Sequence, residues 1–78
     1  MKALVTGASS GMGYEACKSL ASQGHKVYGG ARRVEKMESL KADGVTPLKL
    51  DVTDDASCKE AIDTIMKNEG RIDVLINN

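Results

Sequence analysis

Residues 3–13 read ALVTGASSGMG, an apolar run followed by a turn that holds three glycines. The apolar run is typical of a buried strand, and the segment after Gly13 has the apolar spacing of a helix. Gly7, Gly11 and Gly13 lack a Cβ, so the backbone of the turn can approach a ligand closely. The N–H groups at the start of a helix attract anions. This stretch therefore predicts a phosphate-binding loop between a strand and a helix.

Strand-like and helix-like segments alternate along the rest of the chain. The strand-like runs cover residues 3–6, 27–30, 45–50 and 72–77, and the helix-like segments cover 11–23, 34–42 and 54–68. This alternation predicts an α/β fold, a Rossmann-type doubly wound parallel sheet with strand order 3-2-1-4. Pro47 cannot donate a ladder hydrogen bond, which favours an edge position for the third strand. Residues 1–78 are expected to form only the amino-terminal part of such a domain, its first half.

The helix-like segments carry their own signals. In the second, Met37 and Leu40 are expected to face inward. In the third, Thr53 or Asp54 can cap the amino terminus, and Gly70 can end the helix. Four apolar residues of this third segment are expected to face inward: Ala61, Ile62, Ile65 and Met66.

The composition limits the classes of partner. The chain has 78 residues, of which 11 are basic and 11 acidic, so no net positive charge draws in nucleic acid or an acidic membrane. Tyr14 and Tyr28 are the only aromatic residues, too few for base stacking. Cys17 and Cys58 form no metal-binding or disulfide pattern, and no signal peptide or membrane-spanning run is present. These features predict a reduced, cytoplasmic protein.

The spacing of the glycines narrows the type of loop. It differs from GxGxxG, and no Gly-Lys-Ser/Thr follows, as a P-loop requires. Together with two later motifs, it resembles the short-chain dehydrogenase/reductase family. The resemblance covers all 78 residues and rests on TGxxxGxG at residues 6–13, DVTD at 51–54 and NN at 77–78. The Ala-Gly that completes the last family motif is absent, so that match is incomplete.

The resemblance implies a role for each motif in holding a dinucleotide. Ser9 and Ser10 would donate to the phosphates, Asp51 would contact the adenine amino group, and Val52 would offer its backbone. An alternative is that Asp51 caps the third helix. With the basic pair discussed next, the predicted cofactor-binding residues are Gly7, Ser9, Ser10, Gly11, Met12, Gly13, Arg32, Arg33, Asp51, Val52 and Asn78.

The end of the second strand indicates which cofactor binds. NAD-binding folds place a carboxylate there, but this chain has Arg32 and Arg33. Guanidinium groups bind phosphate through a forked, charge-assisted geometry. The pair predicts NADP, with Arg32 as the first choice for the 2′-phosphate and Arg33 as the second. The alternative is a solvated basic pair at a helix start, and Lys36 is interpreted as an ordinary surface charge.

The resemblance also implies an activity. Family members interconvert carbonyls and alcohols by hydride transfer, with a catalytic Ser, Tyr and Lys and a small-molecule substrate, and the complete protein is expected to be a homo-oligomer. Tyr14 and Lys18 have the spacing of the family's Tyr-x-x-x-Lys motif but directly follow the phosphate loop, so the match is interpreted as chance. No catalytic residue and no metal site is predicted in these residues, and the chain alone is expected to be inactive.

Two alternatives differ in class. The first is a non-catalytic nucleotide-binding or interaction module, since an open fourth strand could pair with another chain. The second is a methyltransferase that binds S-adenosylmethionine. Arg32 disfavours the second, because such enzymes place a carboxylate after the second strand.

Overall fold

The computed structural model describes residues 1–9 and 11–77, and within them four short segments form one parallel sheet. The strands are β1 (Lys2–Thr6), β2 (Lys26–Ala31), β3 (Val45–Lys49) and β4 (Val74–Ile76), in the order β3-β2-β1-β4. This order confirms the predicted fold. Pro47 lies on the edge strand β3, in register with Gly29, as its missing N–H requires. The fourth strand is shorter than the predicted run 72–77.

Successive residues of the strands alternate between two cores. Val5 and Val27 belong to a larger cluster under α1 (Gly11–Ser22) and the 3₁₀ helix Val34–Asp43. Leu4 and Tyr28 belong to a smaller cluster that packs against α2 (Asp55–Glu69). Because both faces of the central strands are covered, these strands read as continuous apolar runs rather than as alternating patterns.

The second helix-like segment is a 3₁₀ helix of 10 residues, long for this type of helix. Its apolar residues suit this type of helix, because Val34, Met37 and Leu40 are spaced by three. With three residues per turn, a 3₁₀ helix aligns them in one column along its axis. Met37 and Leu40 are fully buried, as predicted, and Val34 packs against the same cluster.

Helix α2 has well-formed ends. Of the two predicted caps, Asp54 is the one used: its carboxylate accepts from the N–H groups of Ala56 and Ser57, at 3.0 and 3.4 Å. Gly70 ends the helix at φ 81°, and its N–H donates to the carbonyl of Met66 at 2.8 Å. No helix among the described residues is both long and apolar enough to cross a bilayer.

The predicted inner face of α2 is partly wrong. Ala61 and Ile65 are buried, but Ile62 and Met66 are 41% and 44% exposed. Residues four apart share one side of a helix, whereas their immediate neighbours lie about 100° around the axis. The side that carries Ala61 and Ile65 is therefore the buried one, and Ile65 belongs to the smaller core cluster.

Candidate functional site

The carboxyl ends of β1, β2 and β3 border a cleft of about 550 Å³. Parallel strands present these ends at the same edge of the sheet, where ligands of doubly wound folds bind. The lining comes from the loop after β1, the start of the 3₁₀ helix and the segments after β2 and β3. It consists of Gly7, Ser9, Ala31, Arg32, Arg33, Lys36, Leu50, Asp51, Val52 and Thr53.

The structure brings most of the predicted site residues to this cleft. Gly7, Ser9, Arg32, Arg33, Asp51 and Val52 line it. Gly11 and Met12 border a neighbouring shallow groove along α1 instead, and the Met12 side chain is 81% exposed. Gly13 is buried within α1. Ser10 and Asn78 are predicted site residues that lie outside the described residues.

The loop after β1 owes its shape to glycine backbone angles. Gly7 and Gly11 have φ of 62° and 60°, values that residues with a side chain rarely adopt. A Cβ at Gly11 would meet nothing within 4 Å, so backbone conformation and not space requires glycine at this position. The N–H of Ala8 donates to the carbonyl of Gly30 at 3.0 Å, which joins the loop to β2.

The wall of the cleft depends on a glycine that the sequence analysis did not single out. A Cβ on Gly30 would lie 2.7 Å from Cδ2 of Leu50 and 3.1 Å from its Cβ. The N–H of Leu50 also donates to the carbonyl of Ala31 at 2.9 Å. Gly30 therefore lets Leu50 lie against β2. The Gly29-Gly30 pair inside a strand was the available signal for such a close approach.

Three cations lie on one side of the cleft. Arg32 and Arg33 directly follow β2, and Lys36 joins them from the first turn of the 3₁₀ helix. All three are exposed, and none takes part in an ion pair within residues 1–9 and 11–77. The sequence analysis treated Lys36 as an ordinary surface charge, because no motif marks it and its place in the cleft depends on the turn that starts the 3₁₀ helix.

Asp51 lies beyond the end of β3 and is held by Thr53. Its Oδ1 accepts from the Thr53 hydroxyl at 2.6 Å and from the Thr53 N–H at 3.0 Å. These bonds, with a smaller contribution from the charge of Arg32, hold the pKa of Asp51 below its ordinary value. The alternative that Asp51 caps the third helix is wrong, since Asp54 does so.

The backbone of Asp51 is fastened separately to the first turns of α2. Its N–H donates to Ser57 Oγ at 2.9 Å, and its carbonyl accepts from Cys58 Sγ at 3.7 Å. The side chain of Asp51 therefore stays on the cleft side, and its Oδ2 has no hydrogen-bond partner among the described residues. A carboxylate held in this way is an acceptor for a ligand N–H group.

Tyr14 and Lys18 do not line the cleft. The Tyr14 hydroxyl is 2.5 Å from Ser39 Oγ, on the 3₁₀ helix, and the Lys18 ammonium lies 5.8 Å from the centre of the Tyr14 ring. At the carboxyl end of β1, Thr6 Oγ1 donates to Asn77 Oδ1 at 3.4 Å. This contact connects the residue after β4 to β1.

Comparisons with known proteins agree with the fold and with the sequence motifs. A family model described as short chain dehydrogenase matches residues 1–78. A probable NADP-dependent dehydrogenase of Dichelobacter nodosus is 41% identical over 81 residues, which cover 100% of this chain and 76% of the relative. A 3-ketodihydrosphingosine reductase of Bacteroides thetaiotaomicron is 44% identical over 75 residues, which cover 96% of this chain but 26% of the relative.

Solved structures give the same result. A short-chain dehydrogenase from Streptomyces avermitilis superposes with a TM-score of 0.93 at 39% identity, covering 99% of this chain and 30% of its own. An actinorhodin polyketide ketoreductase with NADPH superposes with a TM-score of 0.89 at 30% identity, covering 99% of this chain and 32% of its own. The chain thus spans about a third of these two structures. On the match over its full length, it belongs to the short-chain dehydrogenase family.

Proposed function

We propose that this chain forms the NADP-binding part of an oxidoreductase that interconverts carbonyls and alcohols. The observation that carries the proposal is the cleft itself, where Arg32 and Arg33 follow β2 and no carboxylate stands at the end of that strand. A carboxylate there would bond a ribose 2′-hydroxyl and repel a 2′-phosphate, whereas guanidinium groups attract the phosphate.

The other lining residues fit the same ligand. The backbone of the loop from Gly7 to Gly13 would hold the pyrophosphate, with Ser9 and Ser10 as further donors. Asp51 would accept from the adenine amino group, for which its Oδ2 is available, and Val52 would offer its backbone. Met12 and Asn78 complete the proposed set of cofactor-binding residues. When bound, the cofactor supplies or accepts a hydride.

The names of relatives support this cofactor and reaction class. The Dichelobacter nodosus relative is described as NADP-dependent, and the actinorhodin ketoreductase was solved with NADPH. Relatives described as a 3-ketodihydrosphingosine reductase and a 7alpha-hydroxysteroid dehydrogenase act on carbonyl or alcohol groups. We infer from these relatives that the complete protein acts on a small carbonyl or alcohol substrate. We also propose that the complete protein is a homo-oligomer. The free thiols of Cys17 and Cys58 are consistent with the cytoplasm.

The proposal assigns cofactor binding to these 78 residues and assigns none of them to hydride transfer. Tyr14 and Lys18 are separated from the cleft and are engaged in contacts of α1 and the 3₁₀ helix. We therefore expect residues 1–78 by themselves to bind the cofactor without turnover.

Titration of the full chain with NADPH and NADH, followed by cofactor fluorescence, tests the proposal. We expect tighter binding of NADPH in the wild type and loss of that preference in Arg32→Asp. The loss of a charge-assisted hydrogen bond lowers the affinity for NADPH by about 10- to 100-fold. The affinity for NADH should not fall. Lys67→Asp, the same change of charge on the exposed side of α2, is the matched control. An unchanged preference in Arg32→Asp would contradict the assignment.

A further inference from the structure

We propose that Lys36 is a third phosphate-binding residue of the cleft and determines specificity for the cofactor's 2′-phosphate together with Arg33. This inference rests on the proposed function, since it concerns the same ligand. It adds a residue that neither the family motifs nor the sequence pattern identifies. The observations that support it are the geometry of the 3₁₀ helix, the distribution of ion pairs and the position of Asp51.

The first turn of the 3₁₀ helix places Lys36 above Arg33. The N–H of Lys36 donates to the carbonyl of Arg33 at 3.2 Å, which closes that turn. Arg33 is the residue that precedes the helix, with extended backbone angles of φ −111° and ψ 90°, and Lys36 lies in the first turn. Both side chains line the cleft. The turn at the start of the helix therefore brings two cations to the same cleft.

The ion pairs distinguish Lys36 from the other lysine of this helix. Lys41 Nζ lies 3.1 Å from Glu38 Oε2, so its charge is already balanced. Among the described residues, no carboxylate lies within ion-pair distance of Lys36 or Arg33. Two unbalanced cations that line one cleft repel each other, and an anion bound there reduces that repulsion.

Because Asp51 offsets part of the charge of Arg32, Arg33 and Lys36 matter more to a bound anion. The Asp51 carboxylate lines the cleft near Arg32, close enough for the charge of Arg32 to act on it. A phosphate near Asp51 would be repelled, and part of the positive charge of Arg32 is offset there. A dianionic phosphate monoester would therefore gain attraction from Arg33 and Lys36 in addition to that of Arg32.

Calorimetric titration of the full chain with adenosine 2′,5′-bisphosphate and with 5′-AMP tests the inference. The two nucleotides share adenosine and the 5′-phosphate, so their difference isolates the 2′-phosphate. We expect Lys36→Gln to lower the affinity for the bisphosphate by about tenfold, the effect of one lost hydrogen bond to a charged group. The affinity for 5′-AMP should change little. Lys41→Gln, on the same helix, should leave both affinities unchanged.

Two further measurements separate charge from structure. Lys36→Arg keeps the positive charge and should retain the bisphosphate affinity within about threefold. The wild type binds the bisphosphate more tightly than Lys36→Gln does, and this difference in affinity should shrink below about pH 6, where a phosphate monoester loses its second charge. A purely structural role of Lys36 would produce neither result.

The outcomes distinguish this inference from the proposed function. If wild type prefers the bisphosphate and Lys36→Gln keeps that preference, Lys36 has no such role while the proposed function stands. An equal loss of affinity for both nucleotides in Lys36→Gln would also overturn the inference, because it would indicate damage to the cleft as a whole. If wild type itself shows no preference for the bisphosphate, the proposed function fails as well.

Discussion

Asp51 shows how a single residue depends on a neighbour two positions away. The Thr53 hydroxyl and N–H both donate to one oxygen of its carboxylate, which stabilises the charged form. The pKa of Asp51 is lowered from its ordinary value of 3.8 mainly by the Thr53 hydroxyl, and Arg32 contributes less. Asp51 is therefore held ionised and oriented by its own loop.

Thr53→Val tests this account at the residue scale. The substitution removes the hydroxyl donor but keeps the N–H and the side-chain volume, so the pKa of Asp51 should rise toward 3.8. An NMR titration of the side-chain carboxyl carbon measures it directly. Thr53→Ser retains the hydroxyl and serves as the control. Identical titration curves for Thr53→Val and wild type would show that the hydroxyl does not stabilise the carboxylate.

Single residues of the site differ in how well the sequence predicts them. Arg32 and Arg33 were predictable, because they directly follow an apolar strand and such a position faces the ligand edge. Lys36 was not, because its place in the cleft depends on a 3₁₀ turn. The exclusion of Asp51 as a helix cap likewise required the contacts of Asp54 to be seen.

At the scale of elements, the spacing of apolar residues decides which side of each helix is buried. Spacing by three in the 3₁₀ helix gives a single column of buried side chains, Val34, Met37 and Leu40. In α2, spacing by four puts Ala61 and Ile65 on the sheet. Helix α2 begins at a capped residue and ends at a glycine with positive φ. Its amino terminus is thus stabilised by local contacts that a point substitution can remove.

Asp54→Ala removes the cap of α2. The N–H groups of Ala56 and Ser57 lose their acceptor, and we expect a loss of about 0.5–2 kcal/mol in the free energy of unfolding. Urea denaturation followed by far-ultraviolet circular dichroism measures the loss. Asp54→Ser keeps an oxygen acceptor at the same position and should stay close to wild type. If Asp54→Ala and Asp54→Ser are equally stable, the cap contributes nothing.

At the scale of the whole molecule, charged contacts at the amino edge of the sheet connect distant segments. Glu69 at the end of α2 accepts from the buried Tyr28 hydroxyl at 2.7 Å and pairs with Lys2 at 3.1 Å. Asp73, just before β4, accepts from the N–H of Lys2 at 2.8 Å and pairs with Arg71. These contacts join α2 and the start of β4 to the two central strands.

The same contacts predict an acid-sensitive fold. Hydrogen bonds from Tyr28 and Lys2 lower the pKa of Glu69 from 4.5, and the Lys2 N–H lowers that of Asp73 from 3.8. Since both folded values lie below the unfolded ones, this stability is present above the unfolded values and is lost as pH falls through the folded ones. The free energy of unfolding should therefore be level above about pH 5 and fall below about pH 4.

Denaturant titrations from pH 7 to pH 2 measure this dependence. The double variant Glu69→Gln, Asp73→Asn lacks the two carboxylates, so its stability should fall less steeply with acid than that of wild type. Glu60→Gln, which changes an exposed carboxylate on α2, is a control of the same type. An equally steep acid loss in the double variant would assign the effect to other groups.

The sequence alone determined the strand order, the glycine loop and the basic pair after β2. These follow from patterns within short segments and from the rules by which parallel strands connect, so no distant contact has to be known. The tertiary structure decided the place of Lys36 in the cleft, the exposure of Ile62 and Met66, and the close approach of Leu50 to Gly30. Each of these depends on how segments far apart in the chain share a limited core, which no local pattern records.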